Sequence, residues 1–222
     1  MSRPAADRAV IGYCHPGTVR AEFCASLLGT VMEGRTPVDS VLALQSGPNI
    51  STARNKIVSD FLRHQRAPWL LMCDTDMAWA PDALDRLVAA ADRDARPLLG
   101  GLCWSQDGDG DPLPTMYELV GRDGVMAFAR PASWPDDTCV RVSATGAAFL
   151  LMHRSALQAI REHARDPAAP WFRESAIPGA PLALMGEDMT FCLRAGAAGI
   201  PVHVHTGVQA GHVKPVMLGK VT

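Results

Sequence analysis

The chain has 222 residues, is 48% apolar and 20% charged, and carries a formal net charge of -2. That length suits one well-buried α/β domain, and the near-neutral balance argues against a protein held on nucleic acid mainly by charge, leaving only a local basic groove open. No apolar run approaches the roughly 20 residues that span a bilayer, and Met1 to Arg8 lack the apolar core of a signal peptide. Six scattered cysteines with no C-x-x-C spacing read as reduced core residues of a cytoplasmic protein.

Taken in order, Ala9 to Tyr13 is a short first strand ending in the loop His15-Pro16-Gly17. Arg20 to Glu33 has helical spacing through Phe23, Leu27, Leu28 and Val31. Ser40 to Leu44 reads as a second strand, broken by Ser46-Gly47-Pro48. A helix then starts at Ser51 or Thr52, either of which suits its cap, and turns Ala53, Ile57, Val58, Phe61 and Leu62 inward. Trp69 to Cys73 is a continuous apolar run of strand length that stops at Asp74-Thr75-Asp76. Pro81 opens a further helix whose inner face is Leu84, Leu87 and Val88. Strand and helix thus alternate through the first half, which predicts a mostly parallel sheet.

The second half changes character. Leu98 to Trp104 is a strand, and an Asp/Gly loop follows from Ser105 to Pro112. Thr115 to Val120 and Val125 to Arg130 predict a hairpin around Gly121-Arg122-Asp123-Gly124. Val140 to Ser143 and Ala147 to Met152 are strand candidates, and Ser155 caps a helix to about Ala164. Arg165 to Pro181 reads as a surface loop, Glu187 to Ala197 as the last helix, and Val202 to Val204 and the segment around His212 as short closing strands.

Asp74 and Asp76 sit one residue apart where a buried strand ends, the place where open α/β sheets bind ligands. Side chains at i and i+2 of an extended segment point the same way, so both carboxylates can reach one spot. Two anions so close need neutralising, and a hard cation such as Mg²⁺ or Mn²⁺ does this while also accepting phosphate oxygens. The plain alternative is a pair of turn aspartates before a helix. Gly186-Glu187-Asp188 opens the last helix. There the acids serve either the helix dipole or, facing a cleft, general base chemistry. His212, in Gly211-His212-Val213-Lys214, would complete the metal's protein ligands, with Lys214 meeting phosphate charge.

The order of these features resembles the GT-A glycosyltransferases: a strand-end Asp-x-Asp, Gly-Glu-Asp about 110 residues later, then Gly-His some two dozen residues on. The resemblance covers Val10 to about Pro215 and implies a single Rossmann-like α/β domain. Its central sheet would be mostly parallel and flanked by helices, with a small antiparallel part in the second half. Residues 1–8 would be a tail, about 1–104 the nucleotide-sugar half and about 105–222 the acceptor half. It implies that Tyr13, His15, Pro16 and Gly17 bind the nucleotide, and that Asp74, Asp76 and His212 hold Mn²⁺ or Mg²⁺ on the donor diphosphate. It places Glu187 and Asp188 on the acceptor side, Asp188 as the base if transfer inverts the anomeric centre. Ala53-Arg54-Asn55 is similar to a donor-side motif of some branches, and Thr145 to Arg154 to the strand before the acceptor helix. The first-strand loop departs from the family by lacking the Thr-Tyr-Asn string of the large inverting branch.

The implied donor is a nucleoside diphosphate sugar, a UDP-sugar first among them. The acceptor stays open, with modified DNA at low weight. Trp104 is the first choice for stacking on a sugar ring. Two other classes compete: a nucleotide-sugar-binding protein without turnover, and a nucleotidyltransferase on a related sheet, for which Gly12 to Gly17 lack the usual Gly- and Arg-rich loop. Asp107-Gly-Asp109-Gly-Asp111 mimics a calcium loop but has Pro112 where the turn glycine belongs. His203-Val-His205 reads as a strand with one exposed face rather than a metal site.

Overall fold

In the computed structural model, which describes residues 8–106, 110–122, 125–177 and 179–215, strand and helix alternate as the spacing of apolar residues predicts. The first elements are β1 (Ala9–His15), α1 (Ala21–Glu33), β2 (Val38–Gln45), α2 (Ile50–His64) and β3 (Trp69–Asp74). β1 lies between β2 and β3 and runs parallel to both. Next come β4 (Met77–Trp79), α3 (Ala83–Ala90) and β5 (Leu98–Ser105), then the short strands β6 (Leu113–Pro114), β7 (Met116–Arg122), β8 (Val125–Ala129), β9 (Cys139–Val142) and β10 (Ala144–Thr145). The chain closes with β11 (Phe149–His153), α4 (Arg154–His163), β12 (Ser175–Ile177), β13 (Ala180–Met185), α5 (Glu187–Ala197) and β14 (Val202–His212).

The main sheet has the order β2-β1-β3-β11-β5-β14-β4, with β6 added to β5 and β9 to β14. β11 is antiparallel to both β3 and β5, and β14 is parallel to β5, so β1, β2, β3, β5 and β14 all point the same way. Smaller sheets join β10, β7 and β8, and pair β12 with β13. The fold is therefore the expected α/β class, a largely parallel sheet with antiparallel additions in the second half.

Both faces of this sheet are covered, which is why β3 reads as an unbroken apolar run. Period-2 alternation sends Leu70 and Met72 to the face that packs with Ile57, Phe61, Leu157 and Phe191 of α2, α4 and α5. Trp69, Leu71 and Cys73 go to the opposite face, with Phe23, Trp79, Leu84 and Leu87 of the α1 and α3 side.

Several expectations need correction. In α1, Leu28 and Val31 are 58% and 50% exposed, whereas Phe23, Ser26 and Thr30 are buried. Trp79 decides this: its backbone N–H donates to Ser26 Oγ at 2.9 Å and its indole N–H to Thr30 Oγ1 at 2.8 Å, so two hydroxyls take the inner face. The cap of α2 is Asn49, whose side chain accepts from Thr52 N, rather than Ser51 or Thr52. The cap of α4 is His153, which accepts from Ser155 N, rather than Ser155. The stretch 165–181 is no surface loop throughout. Trp171 and Phe172 are 3% and 0% exposed, and β12 with the start of β13 forms a hairpin. The closing segment is one 11-residue strand with an irregularity between His205 and Gln209, rather than two short strands.

The hairpin predicted from Thr115 to Arg130 is present as β7 and β8, and Gly199 at φ 74 follows the end of α5. The N-terminal seven residues, the 107–109 part of the acidic loop and residues 123–124 of the hairpin turn lie outside the described residues.

Candidate active site

Because five strands run in one direction, their carboxyl ends bring His15, Gln45, Asp74, Trp104 and His212 to one edge of the sheet. After β3 the chain turns through Thr75 and Asp76 and returns as β4, antiparallel to β14, with His212 opposite Met77. This register sets the imidazole beside the second aspartate. His212 Nε2 lies 2.8 Å from Asp76 Oδ2, and Lys214 Nζ lies 3.5 Å from the same oxygen. Val213 N donates to the Asp76 carbonyl at 2.8 Å, fixing the tail against the turn.

The other imidazole nitrogen, Nδ1, faces the Trp104 carbonyl at 3.0 Å. A carbonyl only accepts, so Nδ1 carries the proton. In the neutral ring Nε2 then offers a lone pair to a carboxylate, and two lone pairs repel. A second proton or a bound cation removes that conflict. A histidine held by a backbone carbonyl through one nitrogen and aimed at a carboxylate through the other has the arrangement of a metal ligand.

Asp74 does not join this pair. Its Oδ1 accepts from Arg54 at 2.7 Å, and the other end of that guanidinium donates to Glu187 Oε1 at 2.5 Å. Among the described residues no group of three or more His, Cys, Asp or Glu is placed to hold a metal. The residues still fit a hard cation as a two-ligand site of Asp76 and His212. Mg²⁺ and its like are commonly held by one or two carboxylates, with substrate phosphates and water filling the other positions.

Arg54 is only 3% exposed, so the solvated helix arginine that its sequence allows is not what the fold makes of it. Burial works hardest against its charge, yet Asp74, Glu187 and Asp188 together outweigh burial and raise its pKa. The neighbouring Asn55 spends its amide on the chain. It donates to Ser51 O and Phe172 O and accepts from Trp171 N and Phe172 N, which fills both donors and both lone pairs. Asn55 thus clamps the buried 171–172 turn, with no bond left for a ligand.

Glu187 and Asp188 follow Gly186 at the start of α5. Asp188 Oδ1 accepts from Met189 N at 2.8 Å. Burial, then the adjacent Glu187, pushes its carboxyl above the usual range, with Arg54 pulling back. A Cβ at Gly146 would stand 3.6 Å from Asp188 Oδ2, an ordinary contact, so the β10–β11 connection passes directly beside that oxygen. A carboxylate raised in this way is a stronger base than an ordinary one, which suits it to proton transfer.

Two clefts flank the Asp76–His212 contact. One, about 690 Å³, is lined by Pro16, Thr18, Arg20, Ser46, Asp74 and Asp76. The other, about 620 Å³, is lined by Trp104, Gln106, Pro112, His212 and Lys214. Of the first-loop residues named from the sequence, Pro16 lines the first cleft, while Tyr13 packs edge-on against Phe23 at 4.9 Å between ring centroids. His15 Nδ1 accepts from Gly17 N at 3.2 Å, and its carbonyl accepts from Ser46 N at 2.9 Å, so these residues shape the loop. Gly17 has φ 120, a conformation that favours glycine.

Sequence reasoning missed Arg20 and Ser46. Both follow strand or loop ends that a parallel sheet carries to the same edge, and that was the available signal. A third cleft, about 760 Å³, lies against the outer face of α2 and the 167–174 segment, and it shares only Asn55 with the predicted site.

No family model and no curated protein matches the chain. Solved structures do. A197 from STIV superposes with a TM-score of 0.63 at 15% identity, covering 94% of this chain and 86% of that one. GalNAc-T7, solved with UDP, GalNAc and Mn²⁺, superposes with a TM-score of 0.61 at 10% identity, covering 93% of this chain and 44% of that one. At these identities the likeness is one of fold, and the fold is that of GT-A glycosyltransferases. Among the described residues no helix is long and apolar enough to cross a membrane.

Proposed function

We propose that the protein is a metal-dependent glycosyltransferase that moves a sugar from a nucleoside diphosphate sugar, a UDP-sugar first, to an acceptor hydroxyl. One observation carries the reading: on a GT-A fold, His212 and Asp76 meet between two clefts with both imidazole nitrogens aimed at oxygen atoms. The sheet edge before residue 105 forms the donor half, and the later elements form the acceptor half of a single unit.

A bound Mn²⁺ or Mg²⁺, held by Asp76 and His212, would neutralise the charge on the departing diphosphate. Lys214, 3.5 Å from Asp76, adds positive charge on one side, and Arg20 adds it from the lining of the first cleft. Trp104 offers an apolar wall beside His212, on which a sugar ring can stack. Asp188 accepts the proton of the attacking hydroxyl. Its burial keeps its basicity above that of an ordinary carboxylate, and the reaction inverts the anomeric centre.

The test is a screen of nucleoside diphosphate sugars by nucleotide release, with Mn²⁺, Mg²⁺ and chelator compared. Release from at least one donor, lost with chelator and with Asp76→Ala, is the expected result. Release that persists unchanged in chelator and in Asp76→Ala rejects the metal site. No release from any donor, together with no binding of Mn²⁺–UDP, rejects the transferase.

A further inference from the structure

Arg54 stands apart from the other cations of the site. Lys214 is half-exposed and Arg20 is exposed, as suits side chains that meet a soluble diphosphate. Arg54 is buried, and both ends of its guanidinium are taken, by Asp74 at the end of β3 and by Glu187 at the start of α5. Among the described residues its Nε has no hydrogen-bond partner, so the hydrogen bonds that orient the group are those to the two carboxylates. Phe172 lies 5.7 Å from its carbon and is itself held by Asn55, which limits sideways movement. An arginine so placed meets a diphosphate only by leaving its buried seat between Asp74 and Glu187, and two part-buried carboxylates then lose their charge partner, which is costly.

We infer that Arg54 is a positioning residue that couples the donor edge of the sheet to the acceptor helix, holding Asp74 and Glu187 at once rather than touching the donor itself. The planar fork of arginine has two separate ends for two carboxylates, whereas the single ammonium of lysine serves one well and the other poorly. Glu187, distant in sequence from the metal-binding edge, then influences that edge through Arg54 and Asp74. The inference rests on the transferase reading for its ligand, but the coupling itself does not.

Two measurements on the full chain decide it. Calorimetry follows Mn²⁺–UDP binding to the wild type, Glu187→Gln, Arg54→Lys and the double variant. Glu187→Gln is expected to shift the affinity by about threefold to tenfold, toward the lower end of the range for coupled neighbours, and by less than about twofold once Arg54 is lysine. The same shift in both backgrounds, or none in either, overturns the inference, because a merely structural arginine lowers stability without making donor affinity depend on Glu187. Urea unfolding of Asp74→Asn, Glu187→Gln and their combination, all with Arg54 in place, gives the second reading. Non-additive midpoints are expected, and additive ones overturn the coupling even if Arg54→Lys does not fold. Wild-type protein that binds no Mn²⁺–UDP removes the transferase reading, and the urea cycle still decides whether the two carboxylates are linked.

Discussion

His212 and Asp76, 136 positions apart in the chain, meet at 2.8 Å between Nε2 and Oδ2. The contact joins the turn after β3 to the end of β14, and the Trp104 carbonyl sets which nitrogen points at the carboxylate. Replacing either side chain removes one of the two proposed metal ligands. Mn²⁺ is expected to raise the melting temperature of the wild type; Asp76→Ala and His212→Ala should each abolish that rise, and should cut turnover by roughly 100-fold or more. A Mn²⁺-induced shift of wild-type size in either variant would show that the cation sits elsewhere.

Asp188 links stability to pH in an unusual direction. Its folded-state pKa is raised, so the fold favours the protonated form. The stability it contributes is therefore present at pH below the ordinary carboxylate value, and it is lost as pH rises through the folded value. Above that folded value the ionised side chain costs the fold something, and Asp188→Asn should be no less stable than wild type there. Its turnover should fall by about 10²- to 10⁴-fold, and the acidic limb of the pH–rate profile should disappear. Paired urea melts and pH–rate curves check both halves; wild-type turnover in the variant contradicts the base assignment.

The cysteines differ sharply in access. All six are free. Burial pushes the Cys14 thiol up to about 11 and those of Cys103 and Cys192 to about 12, and Cys73 is also buried with its thiol pushed up. Thiolate is the reactive form, so an aromatic disulfide reagent at pH 8 should label Cys24 first in native protein, with the full set reacting only in denaturant. Prompt labelling of Cys14 without unfolding would show that the cleft it lines with Pro16 and Asp74 is more open than its packing allows.

Gly12 lets the Ile57 side chain of α2 pack directly on the β1 backbone. A Cβ there would stand 2.6 Å from Ile57 Cγ2 and 3.2 Å from Leu70 Cδ1. Gly12→Ala must push the helix outward or repack both side chains, and the expected cost is about 1–3 kcal/mol of stability by urea titration. Since α2 also carries Arg54, the same substitution should lower turnover in the folded protein. A neutral effect on both would mean that Ile57 moves freely.

The sheet was legible in the chain because its signals are local. The apolar run of β3, the helical spacing of α2 and α3, and the glycine at the end of α5 each act within a few residues. The candidate site was partly legible for the same reason: Asp74, Asp76, Glu187 and Asp188 announce themselves at element ends. Other features depended on partners far away in sequence. Leu28 and Val31 face outward because Trp79 claims Ser26 and Thr30. The 165–181 stretch, rich in Pro and Ala, is pinned by Asn55 and by the burial of Trp171 and Phe172.

Sequence by itself determined the α/β class, the strand-end aspartates and the acidic start of α5, since period, run length and capping chemistry are written residue by residue. Only the tertiary structure decided how those carboxylates divide. Asp76 goes to His212 because β4 pairs with β14 in that register, and Asp74 goes to Arg54 because α2 packs its arginine under the sheet edge. Two side chains a residue apart can be read from spacing. Which cation each one meets is set by strands and helices packed from opposite ends of the chain.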